Sequence, residues 1–102
     1  MQNRIVNEGV LRFEDLKWNG ENIIGTKQSL VQFPNGWGAS IVIGEHSYGG
    51  RIGLYEVAVL DSTGTIRYDS GITEDVIGHL KQDEVSEILS KISKLKSEIK
   101  PM

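Results

Sequence analysis

The segment Glu45-His46-Ser47-Tyr48-Gly49-Gly50-Arg51 places an imidazole, two hydroxyls, a guanidinium and two glycines next to one another in the chain. Glycines let successive backbone N–H groups turn toward an anion, and an arginine can grip a phosphate or carboxylate through paired hydrogen bonds. An aromatic and an arginine on one short loop also form the kind of pair that dominates protein interfaces. His46, Ser47, Tyr48, Gly49, Gly50 and Arg51 are therefore the candidate residues for binding a ligand or a partner. The competing reading is an exposed connection in which Gly49-Gly50 serve only their backbone angles. The loop matches neither a P-loop nor a dinucleotide fingerprint.

Catalytic equipment is sparse. Cysteine is absent, which removes thiolate nucleophiles, disulfides and cysteine metal sites together. Ser40, Ser47 and Ser70 lack a nucleophile elbow and a local base. His46 and His79 are the two histidines, and their separation provides no metal-binding pair on one helix turn or strand. Asp61, Asp69, Glu74 and Asp75 could share protons in acid–base work, although carboxylates at such places usually shape turns and cap helices. The chain is expected to be no enzyme and to hold no cofactor and no metal.

Elements able to position the loop can be read on either side of it. Phe33-Pro34-Asn35-Gly36 is a turn signal between two extended runs, Ser29–Phe33 and Trp37–Gly44. By the strand period of two, Trp37, Ala39, Ile41 and Ile43 share one face. Leu54 to Asp61 is apolar on both faces except at Glu56, which predicts a central strand packed on each side. Ser62-Thr63-Gly64 should turn the chain into a return strand over Thr65–Asp69. Thr73 can cap a short helix that ends near Gly78, placing His79 by its C-terminus. A longer helix should start near Asp83, since Val85, Ile88, Leu89, Ile92, Leu95 and Ile99 draw one apolar stripe at three-and-four spacing. Upstream, Val10–Phe13 and Leu16–Trp18 read as a strand, with Asn19-Gly20 as a hairpin turn and Ile23-Ile24 opening the return. The expected architecture is α+β: an antiparallel β-meander with a C-terminal helix on one face, in one domain spanning residues 1–102, of which 1–28 form an N-terminal hairpin.

Composition agrees with a single folded unit. The chain has 102 residues, 38% apolar and 25% charged, enough for one core and too apolar for a disordered segment. The net charge of −3 argues against broad nucleic-acid binding. The lysines from Lys81 onward fit a solvated helix face. No apolar run reaches the roughly 20 residues that cross a bilayer. The first eight residues also lack the basic-then-apolar order of a secretory signal, so a cytoplasmic, membrane-free protein is expected.

Three blocks, Phe33-Pro34-Asn35-Gly36-Trp37-Gly38-Ala39-Ser40, Gly53-Leu54-Tyr55-Glu56-Val57-Ala58-Val59-Leu60 and Tyr68-Asp69-Ser70-Gly71-Ile72-Thr73-Glu74-Asp75-Val76-Ile77-Gly78, resemble a group of small bacteriophage and prophage proteins. The resemblance covers roughly residues 33 to 95 and implies a phage-borne accessory protein acting in a bacterial cell. The expected function is stoichiometric binding of a host protein, such as a component of a defence system. The alternatives are a sponge for a small anionic signalling nucleotide and a small virion or assembly component. Oligomeric state is left open.

Overall fold

The computed structural model describes residues 6–23, 26–44, 52–67 and 77–96, with the backbone alone for residues 20–23. In chain order the elements are β1 (Val6–Glu8), a 3-10 turn (Phe13–Asp15), β2 (Asn19–Ile23), β3 (Thr26–Gln32), β4 (Gly38–Gly44), β5 (Tyr55–Leu60), β6 (Ile77–Leu80) and α1 (Gln82–Ser93). The strands form one sheet in the order β1-β3-β4-β5-β6, and β2 also pairs with β3. All pairs are antiparallel except β1 with β3, which is parallel. One helix packs on this mostly antiparallel sheet, so the class is α+β.

The alternation read from the sequence sets the register. Val31 lies opposite Ala39 and Ser29 opposite Ile41, while Ala39 and Ile41 face Val59 and Val57 across the next ladder. These rows form the face that α1 covers. Val85, Leu89 and Ile92 have no exposed surface, Ile88 is 8% exposed, and Leu95 is partly buried against the same core. Each such side chain stabilises the fold by about 1.5–3 kcal/mol relative to leaving it in water.

Both helix ends are held by identifiable groups. Lys81 is the N-cap residue, and its backbone N–H donates to Glu84 Oε1 at 3.0 Å. Asp83 and Glu84 in the first turn, and Lys91 in the last, match the helix dipole. The other end is received by the β3–β4 turn. Gly36 N–H donates to the Phe33 carbonyl at 3.0 Å, and Gly36 has φ +91°, a conformation that only glycine adopts without strain. This turn presents Asn35, whose Nδ2 donates to the carbonyls of Ile92 and Leu95 at 2.9 and 3.1 Å. Trp37 Nε1 donates to the Lys96 carbonyl at 2.8 Å. The Phe33–Trp37 motif thus makes a tight reversal and also clamps the helix C-terminus, adding side-chain hydrogen bonds to carbonyls in and just past its last turn.

Several expectations need correction. Val10–Phe13 is not a strand: the first strand is Val6–Glu8, and Phe13 opens a 3-10 turn. Asn19-Gly20 is no hairpin turn, because both residues belong to β2; Ile23 pairs with Thr26, so the chain reverses after Ile23. Thr65–Arg67 contributes one bridge, Leu60 with Ile66, and no return strand. Ile77–Leu80 is an edge strand, so no helix ends at Gly78. Between Tyr55↔Leu80 and Val57↔Ile77 that strand holds one extra residue, a bulge at which His79 has φ +58°. The long helix starts at Gln82, just before Asp83. β5 lies inside the sheet, with α1 packed over one face and Ser40 and Ala58 buried on the other. The expected short helix from Thr73 lies outside the described residues up to 76, as does Ile99.

Candidate functional site

At the sheet end away from the helix clamp, Phe13, Trp18 and Tyr55 form an aromatic cluster. Phe13 meets Tyr55 edge-on with ring centroids 4.8 Å apart. Trp18 is 5.8 Å from Tyr55 and 5.9 Å from Phe13, tilted to both. Such pairs contribute about 0.5–1.5 kcal/mol beyond their buried area. All three rings are only half-buried, against the edge of the core. Trp18 and Tyr55 border an open depression of about 470 Å³ whose other walls, among the described residues, are Asn19, Lys27 and Ile43.

Each wall is fixed from beneath. Tyr55 opens β5, and Lys27 and Ile43 face each other across the β3–β4 ladder. Phe13 is tied to the helix, because its backbone N–H donates to Ser86 Oγ at 2.8 Å. Trp18 follows a residue whose two backbone groups are both engaged by buried side chains. Asn7 Oδ1 accepts from the Lys17 N–H at 2.8 Å. The Lys17 carbonyl accepts from Asn7 Nδ2 at 3.0 Å and from Ser29 Oγ at 2.7 Å. Asn7 Nδ2 also donates to Ser29 Oγ and to the Leu30 carbonyl, both at 3.0 Å. Asn7 and Ser29 are 4% and 0% exposed. A polar network this deep is stable only because its members satisfy one another. It substitutes for a strand ladder in anchoring the segment that carries Trp18.

The electrostatics around the rings are simple. Lys27 is exposed at the depression. The acidic groups flanking Phe13 are compensated by Arg12, whose Nε lies 3.0 Å from Asp15 and 3.6 Å from Glu14. At the opposite end of the sheet, Asp61 Oδ1 accepts from the Thr63 hydroxyl at 2.6 Å and from the Thr63 and Thr65 N–H groups at 2.9 and 3.1 Å. The Thr63 hydroxyl is the main cause holding the Asp61 carboxyl below its ordinary value of 3.8. Desolvation opposes that shift, while the two N–H groups and Arg67 add to it. Arg67 lies 3.7 Å from Asp61 and 5.4 Å above the Trp37 ring. This cluster ties a turn to the core, so Asp61 shapes structure here.

The sequence-selected residues His46, Ser47, Tyr48, Gly49, Gly50 and Arg51 lie outside the described residues, as do Asp69, Glu74 and Asp75. The loop's attachment points are described. It leaves β4 after Gly44, next to Ile43, and rejoins the described chain at Ile52, three residues before Tyr55. Both flanking strands therefore contribute a wall of the depression. His79 lies on the edge strand and Ser40 is bonded to Gln28 Nε2 at 2.9 Å. Among the described residues no three histidine or carboxylate side chains converge as metal ligands, and no helix is long and apolar enough to cross a membrane.

The sequence puts Trp18 and Tyr55 in separate extended runs, and nothing in it joins them to each other or to Phe13, Lys27 and Asn7. No local signal joins residues 13, 18 and 55; only the sheet order does. No family model, curated protein or solved structure matches the chain.

Proposed function

We propose that this protein works by stoichiometric binding: it occupies a protein of a bacterial host and blocks it, as a phage-borne inhibitor does. The observation that carries this reading is the aromatic cluster, with Trp18 and Tyr55 half-buried at an open depression and braced from below by Asn7, Ser29 and Ser86. Half-buried aromatics on a rigid base lose little conformational freedom on association, which is why they anchor interfaces. The loop His46–Arg51, attached beside two walls of the depression, supplies the second part of the contact. The resemblance to phage and prophage proteins supports a host target, and the net charge of −3 suits a basic one.

The test is affinity capture from bacterial lysate with the intact chain, Trp18→Ala, and Tyr48→Ala combined with Arg51→Ala. The reading expects a discrete stoichiometric partner held by the intact chain and lost from both variants. Equal capture by all three, or no retained protein, contradicts it.

A further inference from the structure

We propose that the depression between Trp18, Tyr55, Ile43, Asn19 and Lys27 takes a planar ring carrying an anionic group, namely a nucleoside phosphate. This rests on the reading that the aromatic corner is the binding surface, and it assigns that surface a ligand beyond the protein partner.

Three observations carry it. The depression, about 470 Å³, falls within the range of about 300–1,000 Å³ that small-molecule sites occupy. Its described walls combine two aromatic rings and an isoleucine with one ammonium and one amide, so an apolar planar body and a charged end are both provided for. The cation is placed to act. Lys27 stands in register opposite Ile43, on the strand pair that floors the site. No ion pair engages Lys27 among the described residues, whereas the nearby acidic pair Glu14 and Asp15 is taken up by Arg12.

The ring geometry limits how a ligand can bind. A base sandwiched between two rings needs them about 7 Å apart and parallel, two contact distances of about 3.5 Å each. Trp18 and Tyr55 are 5.8 Å apart at 38°, so a base lies on the pair and not between its members. Phe13, edge-on to Tyr55, supports that ring from one side. Stacking of this kind tolerates any base, so the site selects ring plus phosphate more than base identity. One lysine among the described lining residues also distinguishes it from a nucleic-acid groove, which tracks many phosphates.

The purified full chain can be titrated by calorimetry with AMP, adenosine and inorganic phosphate as probes. The expected result is saturable AMP binding at millimolar concentration or below. Adenosine should bind several-fold more weakly, and phosphate alone should give no saturable signal. Lys27→Gln should reduce AMP to the level of adenosine, while Lys94→Gln, on the remote end of α1, leaves it unchanged. Trp18→Ala should weaken AMP about tenfold or more, the loss of one stacked base. Trp18→Phe guards against misfolding by keeping a ring in place, and it should retain most of the binding. Failure of AMP to saturate, equal binding of AMP and adenosine, or wild-type AMP affinity in Lys27→Gln overturns the proposal. If AMP fails while a host protein is still captured through Trp18, only the nucleotide assignment falls; if both fail, the binding surface itself is wrong.

Discussion

The chain uses its two tryptophans in opposite ways. Trp37 is 7% exposed, donates its indole N–H to the Lys96 carbonyl and carries Arg67 over its ring. Trp18, at the other end of the sheet, is half-buried and borders open space. Trp37 closes a loop of structure: turn, helix end and sheet meet on it. Trp18 is supported through the residue before it and by the rings of Phe13 and Tyr55. The comparison teaches that aromatic content alone does not mark a binding surface. What marks it here is an aromatic that stands on a braced segment and keeps part of its surface at an open depression.

If that contrast holds, the largest stability effects belong to the Trp37 end. Trp37→Ala should cost about 3–5 kcal/mol in urea unfolding, and Leu89→Ala about 2–5 kcal/mol, since both empty a packed site. Losses below 1 kcal/mol at both would mean that the helix does not seal the core.

Next in size are the turn residues that receive the helix. Gly36→Val forces a branched side chain into φ +91° and should cost about 1–3 kcal/mol. Asn35→Ala withdraws two hydrogen bonds from helix carbonyls and should cost about 1–2 kcal/mol. Amide exchange over Ile92–Lys96 should accelerate in Asn35→Ala; unchanged exchange there would remove the clamp from the account.

The smallest effect concerns acid. The Asp61 pKa is lowered in the folded state, so its contribution is fully present above the ordinary value of 3.8 and is lost as pH falls through the lowered one. Melting temperatures of the native chain and Asp61→Asn should therefore converge as pH drops below that ordinary value. A constant gap across the acid range would show that the carboxylate charge does not matter to the turn.

The two ends also differ in how far they could be read from sequence. The α1 stripe and the Asn35-Gly36 turn are local patterns, and both stand where period and turn chemistry put them. The faces of β4 follow from simple alternation. The aromatic end resists such reading because a tertiary contact makes it. Asn7 reaches across ten residues to Lys17 and twenty-two to Ser29, so side-chain hydrogen bonds do what a ladder would do. With β1 only three residues long, no alternation can announce it. Asn19-Gly20 carries the strongest hairpin signal in that third of the chain, yet pairing with β3 holds both residues extended in β2. The His79 bulge is hidden for a similar reason: an edge-strand register decides it, and helix-cap chemistry upstream suggested otherwise. Of the candidate site, the sequence showed Trp18 and Tyr55 as separate residues, and only the fold joins them.

The most direct test sets the two tryptophans against each other in one experiment. Trp18→Ala, Trp37→Ala and Trp37→Phe are compared with the intact chain for melting temperature and for affinity toward the captured host partner. Trp37→Phe should lose about 1 kcal/mol of stability with its indole hydrogen bond and bind normally once folded. Trp18→Ala should instead lose at least about tenfold in affinity, as interface anchors do, while its melting temperature falls less than that of Trp37→Ala. Full affinity in folded Trp18→Ala would contradict the account and leave the aromatic corner as packing alone.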